Sequence, residues 1–195
     1  MRRSAPVPKD MKELFRLYTQ IALLRRGPQD LPASVLLLVL TIVGYLAINL
    51  LMNGLAPPPE PAAAARAADS GARSFPIQLL LDTAFTLVWY AVLLRLARRP
   101  ERTLQTSTAV FGFQIVLTPL LFIASWLWVR FAQDPALKVP TQLFGILVLL
   151  WIIAANSHIV KAALEWSGGA SVALVILQFL ASVLLSRAVF YPAGG

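Results

Sequence analysis

The sequence predicts an all-α fold: a polytopic integral membrane bundle of five transmembrane helices, preceded by an N-terminal amphipathic helix at the interface. Three observations carry this reading. Of 195 residues, 58% are hydrophobic and only 13% charged, too little polar surface to clothe a soluble core. Apolar runs at about 32–52, 76–96, 106–129, 141–159 and 170–190 are each long enough, at ~1.5 Å of rise per residue, to cross a hydrocarbon layer of ~30 Å. Lys and Arg gather beside these runs and rarely within them.

In chain order, residues 1–31 begin with a disordered start, Met1 to Pro8. From about Lys9 to Arg26, Met11, Leu14, Phe15, Tyr18, Ile21 and Ala22 recur at three- and four-residue steps, opposite Lys12, Glu13, Arg16 and Gln20. Such a helix is expected to lie in the cytoplasmic interface with its apolar face in lipid; the alternative is that this face packs against a partner or against the protein's own spans. Arg25 to Pro32 breaks the helix, and Asp30 or a neighbour is expected to cap the first span. That span is too long, and its leader too structured, for a cleaved signal peptide.

The membrane domain occupies 32–190, interrupted by a Pro/Ala-rich external linker at 53–74, which should be mobile, and followed by a short tail at 191–195. The second span opens at Phe75-Pro76 and stops at Arg95, Arg98, Arg99 and Arg102. The third carries Pro119, expected to kink it, and ends on Trp126, Trp128 and Arg130 as an interfacial anchor. The last two spans form a hairpin about a polar hinge running from Asn156 to Gly169, where Gly168-Gly169 suits a tight turn. Trp151 and Trp166 are read as packing and anchoring residues. Lys and Arg number seven up to Pro32, four between the second and third spans and one in the hinge, against two, two and one on the other side. This asymmetry predicts a cytoplasmic N-terminus and hinge and an outside C-terminus.

Composition excludes several chemistries. The absence of Cys and the single His rule out disulfides, thiolate metal sites, cysteine nucleophiles and two-histidine metal motifs. No phosphate-binding glycine loop, nucleophile elbow or paired-carboxylate motif appears. Ser157 and His158 are neighbours, pointing ~100° apart on a helix, so they are no ready nucleophile and base. No catalytic residue, metal or cofactor is therefore expected. The net charge of +8 lies beside apolar spans without the aromatic interleaving of a nucleic-acid surface, so anionic lipid headgroups are the expected counter-charge.

Asp82 is the acidic residue inside a span, ~9 Å beyond Pro76 by helical rise. Arg187 is its expected partner at the same outer side, and the pair is read as a bond fixing the second span to the fifth. The functional alternative is an ion or proton site, with Gln78 and Gln114 around it. Asn49, Asn156 and Gln178 are expected to bond across helices. His158, with Lys161 and Glu165 near it, is read as solvated at the hinge, the alternative being a pH sensor or partner contact.

Five spans with this orientation, together with Leu149-Leu150-Trp151-Ile152-Ile153, then His158-Ile159-Val160-Lys161-Ala162-Ala163-Leu164, then Ser167-Gly168-Gly169-Ala170-Ser171 and a closing apolar span, resemble the Yip family. These are five-span membrane proteins named for interaction with Ypt/Rab GTPases. The resemblance covers about a third of the chain and implies a fold more than an activity. The N-terminal region departs from the eukaryotic pattern, a short basic helix standing in its place, and the Ala, Leu and Arg richness is that of a bacterial inner-membrane relative. The expected role is a non-enzymatic membrane scaffold or adaptor. Its cytoplasmic face, Lys12, Arg16, Arg25, Arg26, Arg98, Arg99 and Arg102, would meet anionic lipid, a membrane or cytoplasmic protein, or a second copy. The alternative is a small transporter or channel subunit built around Asp82.

Overall fold

The structure, a computed structural model, describes residues 11–56 and 75–190. The expected disordered start, most of the linker and the tail lie outside the described residues. Among the described residues six α-helices follow in order: α1 (Met11–Ala22), α2 (Val35–Leu55), α3 (Phe75–Leu96), α4 (Thr103–Arg130), α5 (Lys138–Leu164) and α6 (Gly168–Phe190). Helices α2 to α6 are all long and apolar enough to cross a membrane. The 28 residues of α4 and 27 of α5 reach roughly 40 Å, beyond the ~30 Å of a hydrocarbon core.

Local chemistry sets the helix ends. Ser34, not Asp30, caps α2: its Oγ accepts the Leu37 N–H at 3.3 Å. Asp30 instead closes a short 3₁₀ turn, Pro28–Asp30, by accepting the Gly27 N–H at 3.1 Å. Helices α1 and α3 each end in a Schellman motif. Arg25 N–H reaches Gln20 C=O at 2.9 Å and Arg99 N–H reaches Leu94 C=O at 2.7 Å, with Leu24 (φ 60°) and Arg98 (φ 58°) in the left-handed position glycine usually takes. Pro119 lies inside α4, and the helix continues through it to Arg130.

Most of the expected polar hinge from Asn156 to Gly169 is helix. Asn156, Ser157, His158 and Lys161 belong to α5, and only Glu165 to Ser167 separate the last two helices. The turn rests on Glu165, in the left-handed conformation (φ 58°, ψ 34°) with its N–H on Lys161 C=O; Gly168 and Gly169 open α6. Polar residues ended the span in the sequence reading because lipid rejects them. Here Ser157 is buried and Asn156 and His158 are half-buried against the protein, and the helix carries on past them.

Helix α4 is the centre. It packs on α1, α2, α3 and α5, while α6 rests on α5 and α3. Thr106 to Phe113 are therefore buried without a break, as a helix surrounded on all sides requires. The outer faces stay apolar and open, Leu36 at 68%, Leu147 at 64% and Leu184 at 66% exposure, as lipid-facing side chains are.

The largest departure concerns α1. Its apolar face is not left for lipid: Tyr18, Ile21 and Ala22 are buried in the main core with Ala109, Val110 and Phe113 of α4. This is the alternative of packing on the protein's own spans. Phe15 of that apolar set, at 58% exposure, lies on the open side.

Candidate functional site at the hinge end of the bundle

Four polar contacts, from α2, α4 and α5, hold α1 and the turn after it. Tyr18 hydroxyl meets Thr41 Oγ1 at 2.5 Å. Thr41 already donates to Leu37 C=O at 2.7 Å, so Tyr18 is the donor. Burial pushes the Tyr18 phenol above its usual range, partly offset by the Thr41 bond. Trp151 Nε1 donates to Ala22 C=O at 2.8 Å, capping an orphan carbonyl of α1. His158 Nε2 lies 3.1 Å from Arg26 C=O; a carbonyl only accepts, so Nε2 carries the proton. Gln105 Nε2 donates to Leu31 C=O at 2.6 Å. His158 thus serves as an anchor for the preceding turn, and Trp151 bonds α1 where only packing and anchoring were expected.

Beside this lies an ion cluster. Glu165 Oε1 takes Arg102 and Oε2 takes Arg99, both at 2.6 Å. Arg102 also donates to the C=O of Ala162 at 3.1 Å and of Ala163 at 2.9 Å, the unsatisfied carbonyls at the end of α5. Arg102 is 8% exposed. Hydrogen bonds from Arg99, then Arg102, hold the Glu165 carboxyl at about 2, and Glu165 raises Arg99 in turn. Arg99 and Arg102 are therefore not members of an open basic face, as the sequence reading had them. They bind the α3–α4 connection to the α5–α6 turn. Lys12, Arg16, Arg25, Arg26, Arg98 and Lys161 are exposed at this same end.

About 10 Å along α3 from Phe75, Asp82 does not pair with Arg187. Its Oδ1 accepts the Ser182 hydroxyl at 2.6 Å, and Arg187 is exposed near the end of α6. Asp82 lies 14 residues before Leu96 and Ser182 14 residues after Gly168, so the two stand at one depth, whereas Arg187 lies about 7 Å farther out. The second and fifth spans are bonded through the neutral Ser182 and not through the expected Arg187. Gln78 and Gln114 are half-buried, with no side-chain bond to Asp82. A double-mutant cycle should therefore show Asp82→Ala and Ser182→Ala coupled by about 1–2 kcal/mol, and Asp82→Ala and Arg187→Ala additive within about 0.5 kcal/mol. Unfolding free energies in detergent measure both, and coupling to Arg187 would overturn the assignment.

Seven buried polar side-chain atoms among the described residues have no hydrogen-bond partner in the protein: Trp89 Nε1, Tyr90 OH, Thr106 Oγ1, Ser107 Oγ, Thr108 Oγ1, Asn156 Oδ1 and Ser157 Oγ. Gln178 faces the Tyr90 hydroxyl without completing a hydrogen bond to it. Other helix hydroxyls close on their own backbone, as Thr83 does on Leu79 C=O at 2.7 Å and Thr118 on Gln114 C=O at 2.8 Å. Those at 106–108 do not.

Together these features define a class: a five-span helical membrane bundle with an N-terminal helix locked onto one end and a carboxylate inside a span. No group of three metal-ligating side chains occurs among the described residues. No family model, curated protein or solved structure matches the chain.

Proposed function

We propose that the protein is a non-enzymatic scaffold or adaptor of a bacterial inner membrane, working through its cationic end. The N-terminus and that end face the cytoplasm, a reading supported by the excess of Lys and Arg on that side. The observation that carries the proposal is the separation of roles among the basic residues. Arg99 and Arg102 are committed to Glu165, while Lys12, Arg16, Arg25, Arg26 and Arg98 stay exposed on the same end. A rigidly docked α1 presents two of them, Lys12 and Arg16, and the turn after it two more, Arg25 and Arg26. That arrangement suits anionic headgroups or an acidic partner surface. Five membrane-length helices are compatible with the Yip-like layout, which would supply fold without dictating a GTPase partner.

Purification in mild detergent tests this. The parent protein should carry a stoichiometric protein or retained anionic phospholipid, and Arg25→Gln with Arg26→Gln should lose it without a change in thermal stability. A parent that elutes alone and lipid-free would sink the adaptor reading.

A transport role is favoured by one observation, a hydrogen-bonded carboxylate inside a span. If Asp82→Asn abolished a solute or ion flux in vesicles while the bundle still assembled, transport would replace scaffolding.

A further inference from the structure

The buried polar groups without partners are not scattered evenly along the bundle. The Arg102–Glu165 contact aligns the hinge-side ends of α4 and α5, and the Asp82–Ser182 bond aligns α3 with α6. Measured inward from those ends by helical rise, Thr106 lies ~5 Å deep, Tyr90 ~9 Å, Asn156 ~12 Å, Gln178 ~15 Å, and Asp82 with Ser182 ~21 Å. Four helices thus contribute one polar group after another, at axial steps of roughly 3–6 Å, from the ion cluster to Asp82, about two-thirds of the way along α3. Thr106 stands one turn beyond Arg102 on α4 and so shares its face toward the end of α5. Tyr90 and the neighbours of Thr106 and Asn156 (Ala109, Val110 and Ala155) form one contiguous core.

Each orphaned atom, buried dry, would carry the full desolvation cost of an unmade hydrogen bond. Several in one core exceed what a marginally stable bundle tolerates. One water bridges polar atoms about 5–6 Å apart, twice a hydrogen-bond length. We propose that a file of water enters at the Arg102–Glu165 end and runs past Thr106, Tyr90, Asn156 and Gln178 to Asp82. It makes the carboxylate reachable from the cationic end by water and by small cations. The hydroxyls, phenol and amides along it supply donors and acceptors but no charge before Asp82, so the file terminates at a single negative group. This stands apart from the adaptor reading, which concerns the exposed surface alone.

The absence of cysteine makes the test clean. Thr106→Cys, Ser182→Cys and, as a control in dry core on a helix that contributes nothing to the file, Ile21→Cys are placed singly in vesicles oriented with the cationic end outward. A cationic, membrane-impermeant methanethiosulfonate is added. Both site thiols should react at least tenfold faster than Ile21→Cys, and Ser182→Cys should react several-fold slower with the anionic sulfonatoethyl reagent than with the cationic one. Full reaction of all three in dodecyl sulfate confirms the thiols are present, and Ser107→Cys replaces Thr106→Cys should that variant fail to fold. A Ser182→Cys as slow as Ile21→Cys overturns the file, whatever the shallow position does. Loss of adaptor binding by Arg25→Gln with Arg26→Gln should leave these rates unchanged.

Discussion

Gly112→Val is expected to detach α1 from the bundle. A β-carbon at residue 112 would overlap the Tyr18 ring, approaching its Cγ to 2.8 Å, closer than real contacts allow. The atoms met are the root and near edge of a ring that is 4% exposed, not the end of a flexible side chain. Helix α4 is centred and buried on every side here, so it cannot retreat, and α1 must. Eviction loses the packing of Tyr18, Ile21 and Ala22, the Tyr18–Thr41 hydrogen bond and the Trp151 bond to Ala22 C=O. A loss of about 3–5 kcal/mol of α1 docking follows from packing and hydrogen-bond magnitudes. Trypsin should then cut at Arg16, Arg25 and Arg26 at least tenfold faster, with α2 to α6 intact. Unchanged cleavage would mean that α1 is not held by this seat. Tyr18→Phe, which keeps the ring and loses only the Thr41 bond, should have a much smaller effect, about 1 kcal/mol.

Arg102→Ala should be the second large effect, about 3 kcal/mol of bundle stability. One guanidinium satisfies two helix-terminal carbonyls and one carboxylate oxygen from a position almost sealed from solvent. Its removal leaves Ala162 and Ala163 C=O at a helix end with no donor. Arg102→Lys keeps the charge but not the fork and should recover only part of the loss. Unfolding in dodecyl sulfate measures the series, and an Arg102→Ala variant as stable as the parent would refute the assignment. The same cluster sets a pH response. Glu165 has its folded carboxyl held at about 2, against an ordinary 4.5. A depressed carboxylate contributes stability that is present above the unfolded value and lost as pH falls through the folded one. The turn between α5 and α6 should therefore lose amide-exchange protection between about pH 4.5 and 2. In Arg102→Ala the response should shrink, because one of the two donors that hold the carboxyl down is gone.

Which parts were legible in the sequence follows from what each signal measures. Length and apolarity report the cost of backbone and side chains in lipid. The number of spans was therefore legible, and the positions of their apolar centres lie within the observed helices. Helix ends were less so. Span four was closed at residue 159 because Asn156, His158 and Lys161 are polar, yet helix hydrogen bonding depends on the backbone and runs on to Leu164. Gly112 and Ser182 carried weak signals. A glycine inside a span marks a close approach, but nothing in the sequence says what approaches, and Ser182 competes with a more conspicuous Arg187 five residues on.

The sequence by itself determined that this protein is a five-span helical bundle with an amphipathic N-terminal helix and its basic residues gathered toward one end, because hydropathy and charge act on each segment separately. Only the tertiary structure decided that the amphipathic face is spent on the protein's own core, that Arg99 and Arg102 answer to Glu165, that Asp82 takes Ser182, and that hydroxyls and amides line up inward from the hinge. Each of these depends on which residues on different helices share a depth and a facing direction, a relation between segments that no pattern within one segment contains.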